Sequence, residues 1–195
     1  MKYKFIAFWL IVFGVLFAFL QTSFQYHFYY IEQSQLFLFS ESYIGNKLLL
    51  PGGFSMLVAE FLVQFFIRPY IGALVTAALL TGVGICTAGI VKRVASASGL
   101  FVLYVLPMLA LLFVHFDFNY RVQGTVCYLM MTVLLCGYMR IRNDLYRLVS
   151  GWLLVPSLFW LGGSIAVLFA GMVCLFEGLR KTPKWYISLI GVTEV

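Results

Sequence analysis

The sequence has 195 residues, of which 63% are apolar and only 10% are charged, and its mean hydropathy is +1.00. These values lie far outside the range of soluble globular domains and exclude an ordinary water-soluble protein. The formal net charge is +6, but the basic residues punctuate apolar runs instead of forming one patch, which argues against a nucleic-acid interface.

The distribution of charge predicts which parts of the chain face the cytoplasm. Ten of the thirteen basic residues fall in four clusters, Lys2/Lys4, Lys92/Arg93, Arg140/Arg142/Arg147 and Arg180/Lys181/Lys184. The other three basic residues lie in the intervening gaps, near acids: Lys47, Arg68 and Arg121, with Glu32, Glu41, Glu60 and Asp117. Because cytoplasmic loops of membrane proteins are enriched in Lys and Arg, the four clusters predict a multi-pass protein of the inner membrane. Both termini are then expected in the cytoplasm.

The apolar runs predict an all-α, polytopic membrane fold with about six spans. We expect these spans at residues 5–24, 70–91, 99–114, 124–139, 148–161 and 164–178. The first run is not followed by a small-x-small cleavage site, so we expect an uncleaved helix instead of a signal peptide. A small-residue turn is expected at 94–98. The last two spans form a short hairpin that breaks near Gly162-Gly163, because a single crossing would place the last basic cluster outside.

The end of the sequence leaves two interpretations open. An apolar run begins at residue 185, but only eight residues of it are present before the sequence approaches its end at Val195. The chain either finishes in an interfacial tail or is a truncated product of a longer protein.

The outer segment, residues 25–69, does not resemble a simple loop. Its first part is rich in Tyr and Phe, which suit the headgroup layer of a membrane. Pro51-Gly52-Gly53 predicts a turn. Residues 54–67 predict a helix too short and too polar to span, lying at the membrane surface or tucked against the bundle. On that helix Glu60, Gln64 and Arg68 are spaced four apart, which predicts one polar ridge with an intrahelical ion pair.

The order of these elements resembles the N-terminal module of the GT-C membrane glycosyltransferases. One span, a long outer loop with two membrane-surface helices and a run of short-looped spans are shared with that superfamily. Its members have an acidic residue after the first span and often a second in the next outer loop, and Glu32 and Asp117 occupy these positions. The resemblance implies transfer of a sugar from a polyprenyl-phosphate donor on the non-cytoplasmic face.

The resemblance also implies roles for the outer polar residues. Glu32 would be the general base or a metal ligand, and Asp117 would bind a divalent cation or position the acceptor. The candidate residues for binding the lipid phosphate are Arg68, Arg121, His27 and His115. A metal site that joins the two histidines to the acids is an alternative, and we assign no metal ligand set. Each acid also has a purely structural interpretation. The Glu32 carboxylate would be hydrogen-bonded to Tyr or Gln, and Asp117 would form an ion pair with Arg121.

A second resemblance and two other functions stay open. The string from Tyr26 to Gln33, followed by Pro51-Gly52-Gly53, resembles an uncharacterised family of longer bacterial polytopic proteins. The first alternative function is a non-catalytic membrane subunit or scaffold whose small residues pack against partner helices; these are Ala73, Ala77, Thr81, Gly84 and Ala88. The second is a fragment of a transporter or channel, which the absence of ionisable residues from four of the predicted spans disfavours.

An outer active site requires the two acidic loops to converge on one substrate. We therefore predict that the carboxylates of Glu32 and Asp117 face a common outer cavity. The helix at 54–67 roofs this cavity, and Arg68 or Arg121 lies on its rim.

Overall fold

The computed structural model describes residues 2–94 and 101–180. These residues form nine α-helices and one 3₁₀ turn, with no β-strand among them, so the all-α prediction is confirmed for this part of the chain. The elements are α1 (Lys2–Ser23), α2 (Gln25–Ser34), α3 (Glu41–Leu48), α4 (Gly53–Val63), the 3₁₀ turn (Gln64–Ile67), α5 (Ile71–Val94), α6 (Phe101–Val114), α7 (Gln123–Tyr138), α8 (Asp144–Gly162) and α9 (Ile165–Arg180). The predicted turn at 94–98, except for residue 94, and the residues from 181 onward lie outside the described residues.

Among the described residues, three helices are long and apolar enough to cross a membrane: α1, α5 and α8. The other apolar helices of the bundle are shorter, with 14 residues in α6 and 16 in each of α7 and α9. At 1.5 Å per residue, 16 residues reach only about 24 Å, less than the roughly 30 Å of a hydrocarbon core. Length and composition therefore identify three candidate spans.

Helix α5 lies at the centre of the bundle and contacts α1, α6 and α7. Its small residues allow this close packing, since Ala73, Ala77 and Ala88 are completely buried. A Cβ atom placed on Gly84 would come within 2.5 Å of the Trp9 ring of α1. The face that the sequence suggested for a partner helix is therefore already covered by helices of the same chain.

Helices α7, α8 and α9 enclose a second apolar core. Leu158, Ala166 and Phe169 are fully buried there, and the Tyr138 ring packs at 6.4 Å from the ring of Phe169. The α8–α9 connection is a tight turn at Gly163, close to the predicted break at Gly162-Gly163. The two helices therefore form an antiparallel hairpin.

Two glycines join the outer segment to the tip of that hairpin. Gly52 and Gly163 both have positive φ angles, +78° and +69°, which glycine adopts without the steric cost of a Cβ. The Gly52 amide donates a hydrogen bond to the Trp160 carbonyl at 2.9 Å, and a Cβ on Gly52 would lie 3.2 Å from the Gly163 nitrogen. The predicted Pro51-Gly52-Gly53 turn thus rests directly on the hairpin, which places the tip of the hairpin on the same side as the outer segment.

The α6–α7 connection reaches the same end of the bundle. Phe116 stacks on Phe24 with ring centroids 5.0 Å apart, and Phe118 packs on His27 at 4.8 Å. The three connections therefore form one continuous surface, which we call the outer face: residues 24–70, 115–122 and 163.

Candidate functional site

A polar cavity of about 130 Å³ opens on the outer face between the end of α2, the helix α4 and the start of α7. Its lining residues are Ser34, Gln35, Leu36, Met56, Ala59, Glu60, Arg121 and Gln123. The cavity lies beside α4, and Arg121 belongs to its lining, as the predicted outer site requires. The carboxylate in it, however, is Glu60.

The carboxylate of Glu60 is bound by two neighbours on α3, and one of them carries the opposite charge. The Lys47 ammonium forms an ion pair with it, and the Tyr43 hydroxyl donates a hydrogen bond to it at 2.6 Å. The same hydroxyl accepts a hydrogen bond from Lys47 at 2.6 Å. Burial opposes the charge on Lys47, but the hydrogen bonds to Glu60 and Tyr43 outweigh it and raise the pKa of Lys47. This closed triad fixes α3 against α4, so Glu60 has its charge partner within the chain.

The predicted polar ridge on residues 54–67 does not form as an intrahelical ion pair. The helix α4 ends at Val63 and continues as a 3₁₀ turn, whose three residues per turn break the four-residue spacing. Glu60 pairs with Lys47 instead, and the Gln64 amide donates to the Phe37 carbonyl at 2.6 Å. Arg68 caps the 3₁₀ turn in an extended conformation and is exposed. Periodicity along one helix could not reveal a partner thirteen positions away.

The two carboxylates predicted to be catalytic do not line the outer cavity. Glu32 is half-buried on α2, and Asp117 is exposed in the α6–α7 connection. Asp117 accepts a hydrogen bond from the backbone amide of Asn119 at 2.9 Å, which closes a local turn. The roles predicted for Glu32 and Asp117 therefore gain no support from the geometry of the cavity.

The two histidines predicted to bind phosphate are buried beneath the outer face. His115 is 4% exposed, and its Nε2 lies 2.9 Å from the Thr125 hydroxyl. Burial, reinforced by the charge of His27, lowers the pKa of His115 to about 4. Burial also lowers the pKa of His27, against the opposing influence of Asp117. A buried imidazole that is neutral at pH 7 is a weak ligand for phosphate, so neither histidine gains support for that role.

Arg68 and Arg121 differ in position, although both are exposed. Arg121 contributes to the cavity, whereas Arg68 does not line it. Within residues 2–94 and 101–180, no group of three His, Cys, Asp or Glu side chains has a geometry that could hold a metal ion. The proximity of His27, His115 and Asp117 therefore does not amount to a metal site.

A buried ionic network at the other end of the bundle was not recognised in the sequence. Arg147 and Glu177 are both 0% exposed, and their Nε and Oε1 atoms are 2.5 Å apart. The Tyr138 hydroxyl donates to the same Glu177 oxygen at 2.7 Å, while Asp144 lies 2.8 Å from the Arg147 guanidinium. The sequence contains a signal for this network, since Glu177 is the one acid in the last predicted span, but the charge pattern groups Arg147 with Arg140 and Arg142 in a basic cluster.

These features define the described part of the chain as all-helical, with candidate membrane spans, a small polar cavity on the face predicted to be outer and a buried charge network at the opposite end. The chain belongs to the family of unknown function DUF6057, whose model matches residues 1–195. Neither the curated proteins nor the solved structures contain a match to this chain.

Proposed function

We propose that the chain is a six-span module of the inner membrane with a structural role, which holds the segment 24–70 rigidly on the non-cytoplasmic face. The observation that carries the proposal is the buried ion pair that holds α3 against α4 on that face. Its buried carboxylate, Glu60, is paired with Lys47, and His115 lies within hydrogen-bond distance of Thr125, whereas the ring nitrogens of the second buried histidine, His27, have no hydrogen-bond partner among the described residues. A surface in which buried polar groups satisfy one another stabilises a fixed conformation.

The placement of the basic residues supports the membrane orientation. Arg93 lies at the end of α5, Arg140 and Arg142 lie between α7 and α8, and Arg180 lies at the end of α9. All four line one cavity, whereas the outer face lies at the opposite ends of α5, α7 and α9. The charge rule then assigns the arginine end to the cytoplasm and the glycine-linked end to the outside. Short helices such as α6 are compatible with crossing where flanking residues or local thinning of the bilayer compensate.

Reporter fusions test this topology directly. Alkaline phosphatase joined after Lys47 or after Arg121 should be active, because both positions lie on the outer face of the proposed orientation. Green fluorescent protein should fluoresce when it is joined after Arg93 or Arg147. A fluorescent fusion at Arg121 would contradict the proposed orientation, and a soluble, cytosolic product at all four positions would contradict the membrane assignment itself.

The glycosyltransferase resemblance is the competing proposal, and the geometry favours it less. It requires an outer site in which two free carboxylates meet one substrate. The outer cavity instead contains the paired Glu60, and the lining includes neither Glu32 nor Asp117. Two observations still support the glycosyltransferase proposal. Arg121 lines the outer cavity, and the order of the elements resembles that of the superfamily.

Substitution of the two candidate acids separates the structural from the catalytic proposal. We expect Glu32→Gln and Asp117→Asn, singly and together, to complement a deletion strain as well as the unchanged gene does. Within the described part of the chain, neither side chain holds a buried partner whose loss would unfold the protein, so expression should also be unchanged. Arg147→Met serves as the control that should fail, because it disrupts the buried network. Loss of complementation by either acid variant at normal expression would favour the enzyme.

A further inference from the structure

A large cavity lies at the end of the bundle opposite the outer face. Its volume is about 650 Å³, and four arginines line it: Arg93, Arg140, Arg142 and Arg180. They come from the end of α5, the α7–α8 connection and the end of α9, which are far apart in sequence. The fold therefore brings guanidinium groups from three separate parts of the sequence to one place.

The described residues of the cavity lining carry four positive charges and no negative one. The nearest carboxylate that contacts the set belongs to Asp144, 3.7 Å from Arg180, and Asp144 is already shared with Arg147. The guanidinium of Arg93 is held in place by a 2.7 Å hydrogen bond to the Cys136 carbonyl. Cations gathered in this way repel one another, and an anion bound among them would relieve that repulsion.

We propose that this cavity binds a phosphate-bearing anion, supplied by the headgroup of an anionic phospholipid. Guanidinium groups bind phosphate oxygens through paired, charge-assisted hydrogen bonds. Basic pockets between membrane helices on the cytoplasmic side are suited to lipid headgroups that carry phosphate. The lipid source rests on the proposed membrane orientation, whereas the phosphate chemistry of the cavity does not.

The size and the apolar part of the lining favour a lipid over free phosphate. A volume of about 650 Å³ falls in the range of roughly 300–1,000 Å³ typical of small-molecule sites, which is far larger than one phosphate ion needs. Met139, Phe176 and Leu179 line the same cavity. These side chains provide an apolar wall for the glycerol and the first acyl carbons beside the arginines.

Titration of cardiolipin into the purified full chain, with bound lipid counted by native mass spectrometry, tests the site. The test variant is Arg140→Gln/Arg142→Gln, because both side chains are exposed and line the cavity. The matched control is Lys4→Gln/Lys92→Gln, which removes two charges from the same proposed face but from outside the cavity. We expect the test variant to bind cardiolipin about tenfold more weakly or worse, and the control to bind nearly as the unchanged chain does.

Two further experiments test whether the paired hydrogen bonds of arginine are needed and whether the phosphate comes from a lipid. Arg140→Lys/Arg142→Lys keeps the charge and should recover only part of the affinity, because an ammonium cannot bind phosphate bidentately. A parallel titration with inorganic phosphate should show much weaker binding than cardiolipin if the source is a lipid. Phosphate binding of equal strength that is lost in the same variant would support the site with a soluble ligand.

The proposal is overturned if the test and control variants lose cardiolipin equally, or if the test variant loses none. Circular dichroism and gel filtration of both variants establish that they are folded, and the lysine variant provides a second folded comparison. Detergent-solubilised protein exposes both ends, so these outcomes do not depend on orientation. Failure of the reporter fusions would remove the cytoplasmic lipid source but would leave the binding result intact.

Discussion

Replacing Arg147 with Met should destabilise the protein by about 3–5 kcal/mol, the range observed when one partner of a buried ion pair is removed. The reason is that Glu177 is completely buried and would lose the two guanidinium contacts that Arg147 makes with its carboxylate. The measurement is the free energy of unfolding of the detergent-solubilised chain, with helix content followed by circular dichroism.

Two further variants show whether the loss of the charge interaction between Arg147 and Glu177 causes this destabilisation. In Arg147→Met/Glu177→Gln the charge is gone, while the Gln oxygen can still accept the hydrogen bond from Tyr138. We expect this double variant to be clearly more stable than Arg147→Met alone. Asp144→Asn is the surface control, and it should change stability by no more than about 1 kcal/mol because Asp144 is half exposed. A double variant as unstable as the single one would contradict the explanation by charge.

The sequence predicted the helices well because their signals are local. Apolar runs and basic gaps place the helices, and Gly162-Gly163 indicates the break between α8 and α9 without any knowledge of packing. The described helices lie near the expected spans, although α6, α7 and α9 are too short for length alone to identify them as crossing helices. Their membrane crossing stays a prediction.

The site was predicted less well because its partners are separated in sequence. Glu60 was assigned to Arg68 by helical spacing, but Lys47 reaches it from the preceding helix. The charge pattern groups Arg147 with the cytoplasmic basic cluster, although the fold buries it against Glu177. Charge patterns along a chain show which side of a membrane a residue faces. They do not show which opposite charge will be folded against it.

Among the glycines of the outer face, Gly53 is the one at which an added methyl group should destabilise the folded structure most. A Cβ atom built there would lie 1.8 Å from the Lys47 carbonyl oxygen, a backbone atom that cannot rotate away. Gly53→Ala must therefore push the end of α3 away from α4, and this movement also pulls Lys47 from Glu60. We expect a loss of about 3 kcal/mol or more in the free energy of unfolding, at the upper end of overpacking costs.

Two neighbouring glycines provide matched controls for this substitution. Gly45 lies inside α3, and a Cβ added to it would meet no atom within 4 Å, so Gly45→Ala should stabilise the helix by about 0.5–1 kcal/mol. Gly52 has a φ of +78°, so Gly52→Ala should cost about 1–2 kcal/mol in backbone strain. The expected order of stability is Gly45→Ala, the unchanged chain, Gly52→Ala and then Gly53→Ala. If Gly53→Ala unfolds no more easily than Gly52→Ala, then α3 does not pack against α4 as closely as described, and the rigid outer segment loses its main structural support.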